Sequence, residues 1–147
     1  MKVLLATDGS EYSREAARKY SKLLFGFDGV DLTVITVIDN FTPMATEPFI
    51  SPEEFLKTVE DEMRRRAEQD LIEIEGILKA ENKDLNCEKE ILIGSAKQAI
   101  VRYAEKIEAD LIVVGSHGYG FWERALLGSV SNSVVHHAPC SVLVLKA

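Results

Sequence analysis

The most informative stretch of the chain is an apolar run that leads into two glycines, Ala109-Asp110-Leu111-Ile112-Val113-Val114-Gly115-Ser116-His117-Gly118. Nine residues later the chain continues with a third glycine and several hydroxyls, Gly128-Ser129-Val130-Ser131-Asn132. A strand that ends in glycine, followed by a helix that begins at glycine and serine, leaves backbone amides accessible to an anion such as phosphate. The pattern therefore favours a site for the phosphates of a nucleotide.

The same residues also have a simpler interpretation as turns and helix caps, in which glycine and serine are common. Two known phosphate motifs do not fit. The P-loop requires a lysine before its hydroxyl residue, and no lysine stands here. The dinucleotide fingerprint opens a helix directly, whereas nine residues separate Gly118 from Gly128. The spacing alone does not decide between a phosphate-binding site and a simple arrangement of turns and helix caps.

The bulk composition limits the class of protein. With 147 residues, 46% of them hydrophobic, the chain is expected to form one domain, 1–147, with its own core. A formal net charge of −7 disfavours nucleic-acid and anionic membrane surfaces as partners. No apolar run approaches the roughly 20 residues that span a bilayer, and two cysteines are too few to predict a disulfide framework. We therefore expect a soluble, cytoplasmic protein.

Short apolar runs alternate with helical patterns, which is typical of βαβ units that form a parallel sheet covered by helices on both faces. Five runs are predicted strands: Lys2–Thr7, Leu32–Ile38, Glu88–Ile93, Asp110–Val114 and Ser141–Leu145. Helix starts are predicted at Ser10, at Ser51-Pro52-Glu53-Glu54 and at Ser95, with a fourth helix from about Val130 to Ala138.

The second predicted helix carries one apolar stripe at steps of three or four residues: Phe55, Val59, Met63, Ala67, Leu71, Ile74 and Leu78. Its remaining positions are highly charged. Acidic residues surround the Arg64-Arg65-Arg66 cluster, which indicates a solvated, ion-paired face rather than a basic binding surface.

The glycine pattern G-x-x-G, nine residues, G-[ST] resembles the ATP-binding branch of the universal stress protein family. It is formed by Gly115, Gly118, Gly128 and Ser129. Further strings resemble that family along nearly the whole chain: Leu4-Leu5-Ala6-Thr7-Asp8-Gly9-Ser10, Val34-Ile35-Thr36-Val37-Ile38-Asp39 and Pro139-Cys140-Ser141-Val142-Leu143-Val144-Leu145.

The resemblance implies a Rossmann-like, adenine nucleotide alpha hydrolase-like sheet of five parallel strands in the order 3-2-1-4-5. It also implies that ATP lies over the carboxyl ends of strands one, two and four, with Mg²⁺ bound through its phosphates. The phosphates and ribose would contact Gly115, Gly118, Gly128, Ser129, Val130 and Ser131. The backbone of Val37 would contact the adenine, and Asp8, with its neighbour Thr7, would border the nucleoside.

The role of Asp8 remains open at this stage. Strand order 3-2-1-4-5 reverses between strands one and four, which places Asp8 beside Gly115. A carboxylate near phosphates is repulsive unless it bonds a sugar or base group or acts through Mg²⁺. The alternative is that Asp8 caps the first helix together with Ser10.

Three functions are compatible with these residues. The first is a stress-response regulatory protein in which ATP orders the loop Tyr119–Leu127 and changes what a protein partner meets. The second is a slow ATPase or autophosphorylating enzyme with Ser129, Ser131 or a nearby hydroxyl as acceptor, although no P-loop lysine or evident base is present. The third is a nucleotide-free, dimeric interaction protein.

The last strand carries its own prediction about assembly. Ser141–Leu145 is apolar and, as an edge strand, has neither the proline nor the inward charge that protects such edges. Pairing across a two-fold axis would satisfy its free backbone groups, and dimers of the resembling family use this strand. We therefore expect a homodimer formed through this strand.

Overall fold

The computed structural model describes residues 1–24, 29–40, 52–116 and 127–146. In these residues five strands alternate with four helices: β1 (Lys2–Thr7), α1 (Glu11–Leu24), β2 (Asp31–Ile38), α2 (Pro52–Glu81), β3 (Cys87–Ile93), α3 (Ala96–Ile107), β4 (Leu111–Gly115), α4 (Ser129–His137) and β5 (Ser141–Leu145). The five predicted strands are confirmed, each end within one residue of its expected place.

All neighbouring strands are parallel, and the sheet order is β3-β2-β1-β4-β5. The predicted order is therefore confirmed. Strand β1 lies at the centre, with β2 on one side and β4 on the other. The chain leaves β1 toward one edge and returns to the other side for β4, so a crevice opens at the carboxyl ends of these two strands.

Helices cover both faces of the sheet, as predicted. Helices α1 and α2 pack on one face, where Tyr20 and Ile74 are buried against Val3 and Leu5. Helices α3 and α4 pack on the other face. Successive residues of β1 point to opposite faces of the sheet, so Val3 and Leu5 belong to the first core and Leu4 to the second.

Helix α2 is buried along only part of its predicted apolar stripe. Its later half has four buried apolar residues, Ala67, Leu71, Ile74 and Leu78, and the half-buried Ile77 also packs against the core. The 30 residues of the helix extend over about 45 Å, which is longer than the strands that it covers. Residues 53–66 are therefore exposed or only half-buried. None of the described helices is long and apolar enough to cross a membrane.

Candidate functional site

Those predicted site residues that the structure describes come together at the carboxyl edge of the sheet. Thr7 closes β1 and pairs in register with Thr36 of β2, and Ala6 pairs with Val114 of β4. Asp8 and Gly115 each follow one of these registered pairs directly. The fold therefore brings the ends of β1, β2 and β4 to one place, although they are distant in sequence. Gly118 and His117 lie outside the described residues, as does the loop Tyr119–Leu127 apart from Leu127.

The two halves of the glycine motif are joined by the backbone of Ser116. Its carbonyl oxygen accepts hydrogen bonds from the Gly128 amide at 2.7 Å and from Ser131 Oγ at 3.2 Å. Its amide donates to the carbonyl of Leu145 at 2.7 Å. Ser116 and Ser131 are both buried, 2% and 4% exposed. These bonds fasten the start of α4 to the end of β4.

Ser116 was not among the residues predicted from the sequence. The available signal was its place between Gly115 and Gly118, directly after a strand. The hydroxyl of Ser131, expected beside the phosphates, is instead donated to the Ser116 carbonyl.

The N-terminus of α4 has the form of an anion site. Gly128 is its N-cap in an extended conformation, and among the described residues no side chain caps the helix. The first helical hydrogen bond runs from the Asn132 amide to the Gly128 carbonyl at 2.9 Å. The amides of residues 129–131 therefore have no acceptor within the helix and carry the positive end of its dipole. Ser129 is exposed there, and Val130 is half-buried.

The carboxylate of Asp8 organises the start of α1. Its Oδ1 accepts hydrogen bonds from the Ser10 amide at 3.0 Å and from Ser10 Oγ at 2.6 Å. Ser10 Oγ in turn accepts from the Ser13 amide at 3.2 Å, which is the expected N-cap bond. The predicted cap at Ser10 is confirmed, and Asp8 supports it while remaining exposed at the sheet edge.

Thr7 is buried below this loop. Its hydroxyl donates to Ser13 Oγ at 2.9 Å and accepts from the Gly9 amide at 3.2 Å. The side chain of Thr7 therefore holds the loop that carries Asp8, because both hydrogen bonds run to residues of that loop or of the adjoining helix turn.

A second support for the loop comes from α2. Arg14 donates through Nη1 to the Gly9 carbonyl, and through Nη2 to Asp70 Oδ1 at 3.1 Å and Glu73 Oε2 at 2.8 Å. Gly9 has a φ of +72°, and a Cβ added there would lie 2.1 Å from Asp70 Oδ2. Glycine is favoured at this positive φ, and any Cβ there would also require the Asp70 carboxylate to shift. No sequence pattern links Arg14 to Asp70, which lies 56 positions further along the chain.

The carboxyl groups around Arg14 have unequal pKa values. Burial raises the pKa of Asp70, and the attraction of Arg14 offsets this only in part because Glu73 and Asp8 add repulsion. The hydrogen bond from Arg14 lowers the pKa of Glu73, which is exposed. One guanidinium thus holds two carboxylates in different environments.

Val37 lies one residue beyond the last registered pair between β1 and β2. Strand β2 continues in register with β3 as far as Ile38 and Ile93, and the Gly94 amide donates to the Ile38 carbonyl at 2.9 Å. The backbone of Val37 is therefore held by the β3 side after β1 has ended. Its side chain is half-buried against the α3 and α4 core.

Candidate catalytic groups are few in the described residues. His137 Nδ1 lies 2.8 Å from the Ser133 carbonyl on its own helix, away from the sheet edge. Burial raises the pKa of both thiols, Cys87 and Cys140. Over residues 1–24, 29–40, 52–116 and 127–146, no group of three or more His, Cys, Asp or Glu side chains is placed to hold a metal ion. The arrangement is suited to binding an anion through backbone amides.

The chain is similar to known proteins along nearly its whole length. Residues 1–146 match the model of the universal stress protein family. A universal stress protein of Methanocaldococcus jannaschii is 33% identical over 147 residues, which cover 99% of this chain and 81% of that relative.

Two solved structures show the same fold. The hypothetical protein MJ0577 superposes with a TM-score of 0.81 at 29% identity, covering 99% of this chain and 95% of the other. A universal stress protein in complex with cAMP superposes with a TM-score of 0.70 at 26% identity, covering 99% and 96% of the two chains. The chain belongs to the universal stress protein family.

Proposed function

We propose that this protein is a stress-response regulatory protein that binds ATP at the carboxyl edge of its sheet and holds it without turnover. The observation that carries the proposal is the Ser116 carbonyl, which joins both halves of the glycine motif. It fixes the uncapped N-terminus of α4 beside the end of β4, where orphan amides favour phosphate. The similar universal stress protein in complex with cAMP supports an adenine nucleotide as the ligand.

The residues fit this ligand in distinct ways. Gly115, Gly118 and Gly128 leave the backbone accessible, and the amides of Ser129 and Val130 with the exposed Ser129 hydroxyl donate to phosphate oxygens. Val37 offers its backbone to the base. Thr7 and Ser131 act as positioning residues, because their hydroxyls already hold the surrounding loops.

In the proposed complex, Mg²⁺ is bound through the phosphates of ATP. Bound Mg²⁺ offsets phosphate charge and keeps several waters. Oδ1 of Asp8 accepts hydrogen bonds from Ser10, and the carboxylate is exposed at the sheet edge. We expect it to bond the sugar or to contact the ion through water.

The regulatory step is proposed for the segment that joins the two halves of the motif. Its ends are fixed at Ser116 and Gly128, both at the anion-binding end of α4. ATP bound there orders residues 119–127 and changes the surface that a protein partner meets. Hydrogen exchange of this segment with and without ATP tests the step, and equal exchange rates contradict it.

Binding itself is tested with two substitutions at one position. Ser129→Pro removes one orphan amide and keeps the helix start, because proline is favoured at N1 and the preceding Gly128 has φ −65° and ψ 158°. Ser129→Ala removes the hydroxyl and keeps the amide. We expect calorimetry in MgCl₂ to show about tenfold weaker ATP binding for Ser129→Pro, equivalent to roughly 1.4 kcal/mol, and a smaller loss for Ser129→Ala.

Two further measurements test whether the protein binds a nucleotide and whether it turns ATP over. ATP at 100 times its Kd should stabilise the wild type by about 2.7 kcal/mol in a thermal unfolding experiment. The absence of any shift with ATP, ADP, AMP and cAMP contradicts nucleotide binding. Release of labelled γ-phosphate or its transfer to the protein contradicts the absence of turnover.

We also propose that the protein is a single-domain, cytoplasmic homodimer. A homodimer through β5 is supported by the position of this strand at an edge of the sheet. One domain over 1–147 is supported by the family match to residues 1–146. The cytoplasm is supported by the two cysteines, Cys87 and Cys140, which are both free thiols.

A further inference from the structure

The loop after β1, residues 8–10, is fixed by its own hydrogen bonds and by a side chain from α1. The Gly9 amide donates to Thr7 Oγ1 at 3.2 Å, and the Ser10 amide donates to Asp8 Oδ1 at 3.0 Å. Arg14 of α1 donates through Nη1 to the Gly9 carbonyl. The direction of the peptide that follows Asp8 and Gly9 therefore depends on Arg14.

Arg14 is in turn held by helix α2. Its Nη2 lies 2.8 Å from Glu73 Oε2 and 3.1 Å from Asp70 Oδ1. A planar guanidinium that donates to the loop on one side and to carboxylates on the other has few alternative positions. The loop is thus connected to α2 through one cation.

Asp70 also lies directly against the loop. A Cβ added to Gly9 would be 2.3 Å from the carboxyl carbon of Asp70, so this carboxyl group fills the space beside the Gly9 Cα. Burial raises the pKa of Asp70, Arg14 opposes this rise, and the charge of Asp8 adds to it. The carboxylates of Asp70 and Asp8 therefore interact through space as well as through the loop.

We propose that Arg14 and Asp70 are positioning residues that hold Asp8 against the nucleoside part of the nucleotide and thereby set the affinity for it. The inference rests on the proposed function, in which the carboxyl edge of the sheet binds ATP. Both residues act through the loop, Arg14 at the Gly9 carbonyl and Asp70 beside the Gly9 Cα. A loop that adopts its binding conformation for only a fraction of the time weakens the apparent affinity by that fraction.

The charge of the ligand separates positioning from simple electrostatic attraction. Loss of the Arg14 charge alone would weaken the binding of ATP and spare uncharged adenosine, because Coulomb attraction scales with the charge of the ligand. Displacement of Asp8 would weaken both ligands by a similar factor, because both carry the same nucleoside.

Calorimetry on the whole protein tests the inference with ATP in MgCl₂ and with adenosine as its competitor, well below the Tm of every variant. We expect Arg14→Met to weaken both ligands about tenfold, as when about a tenth of the molecules keep the loop in place. Arg14→Lys keeps the charge without the fork and should recover part of the affinity. Asp70→Ala should cause a smaller loss for both ligands, because Glu73 still binds Arg14.

Two control variants match the loss of charge and the loss of stability. Arg18→Met removes an arginine one turn further along α1, which pairs with Glu11 and Glu15 of its own helix. Ile74→Val leaves a small cavity in the core where α2 packs on the sheet, and it should lower Tm without reaching the loop. Both controls should leave the two dissociation constants unchanged.

A second measurement reports on the loop in the absence of nucleotide. Hydrogen exchange followed by NMR monitors the Gly9 and Ser10 amides, which are both hydrogen-bonded within the loop. In Arg14→Met these two amides should exchange faster, whereas the amides of β4 should exchange as in the wild type.

The inference is overturned if Arg14→Met retains the wild-type affinity for both ligands, or if its Gly9 and Ser10 amides exchange as in the wild type. A loss for ATP with none for adenosine also overturns it, because charge alone then explains the effect. An equal loss for Ile74→Val does the same, since affinity then follows global stability. If the wild type itself binds neither ligand, the proposed function fails, and the inference fails with it.

Discussion

Arg14 on α1 and Asp70 on α2 are joined by a salt bridge in which Nη2 lies 3.1 Å from Oδ1. The same guanidinium donates to the carbonyl oxygen of Gly9, in the loop that carries Asp8. Helix α2 therefore supports the end of β1 as well as covering the sheet. The side chains of Arg14 and Asp70 are 19% and 26% exposed, so the pair is protected from much of the solvent.

Removal of this guanidinium should destabilise the protein. We expect Arg14→Ala to lower the free energy of unfolding by about 1–3 kcal/mol, because Asp70 is left partly buried without its cation. Arg14→Lys keeps the charge but loses the fork that reaches three acceptors, so its effect should be intermediate. Urea denaturation measures both, and a loss below about 0.3 kcal/mol for Arg14→Ala would contradict the supporting role.

A side chain at Gly9 should destabilise the fold, and more so while Asp70 is present. We expect Gly9→Ala to destabilise the fold by about 1–2 kcal/mol from its positive φ alone, with a further loss from the contact at 2.1 Å with Asp70 Oδ2. In an Asp70→Ala background the second loss should disappear. A double-mutant cycle in urea isolates this coupling. Additive effects of the two substitutions would show that Asp70 moves aside without cost.

Stability should respond to pH with opposite signs at the two carboxyls that Arg14 binds. The folded pKa of Asp70 lies above its ordinary value near 3.8, so the stability that this group contributes falls as pH rises from 3.8 through the folded pKa. The groups that face it are Arg14, Glu73, Asp8 and Arg66. Asp70→Asn resembles the protonated form, so its stability relative to the wild type should rise between pH 3 and about pH 7.

Glu73→Gln provides the control for this measurement. The folded pKa of Glu73 lies below its ordinary value near 4.5, so its contribution is present above pH 4.5 and is lost as pH falls. The stability of Glu73→Gln relative to the wild type should therefore fall between pH 3 and about pH 7. Urea denaturation at a series of pH values measures how the stability of each variant, relative to the wild type, changes with pH. Equal slopes for the two variants would contradict opposite pKa shifts at Asp70 and Glu73.

The strands and the first helix cap could be predicted from the sequence because the patterns that indicate them are local. Each strand is a short apolar run bounded by polar or turn residues, and Ser10 stands where a helix cap is expected. The order of the strands came from the family resemblance, since no local pattern shows which strands are neighbours. Residues placed directly after strands, such as Asp8 and Gly115, could then be assigned to one edge.

The supporting contacts of the site could not be predicted in the same way. Ser116 meets Ser131, and Arg14 meets Asp70, only after the chain has folded, across separations of 15 and 56 residues. The extent of burial along the α2 stripe could not be predicted for a related reason. Periodicity shows which side of a helix is apolar, but it does not show where the sheet beneath that helix ends.

The hydroxyl of Tyr20 should be dispensable. It is buried in the core between α1, α2 and the sheet, and no described residue gives it a hydrogen-bond partner. Burial also raises the pKa of Tyr20 well above its usual range. We expect Tyr20→Phe to raise the free energy of unfolding by about 0.5–2 kcal/mol, because an unsatisfied polar group is removed while the ring is kept. A lower Tm in calorimetry would indicate a partner for this hydroxyl.

The edge of β5 offers a sharp test of the proposed dimer. The Leu145 carbonyl accepts from the Ser116 amide, so the backbone of Leu145 is directed at β4. Because backbone groups alternate along a strand, the amides of Val144 and Val142 point away from β4, toward the open edge. Val144→Pro therefore removes an outward donor and leaves the β4 ladder intact.

We expect Val144→Pro to halve the mass measured by light scattering while the protein stays folded. Leu143→Pro is the matched control, because its amide faces β4 and its loss should unfold the last strand and lower Tm by several degrees. An unchanged mass for Val144→Pro, together with a normal Tm, would exclude β5 as the dimer contact.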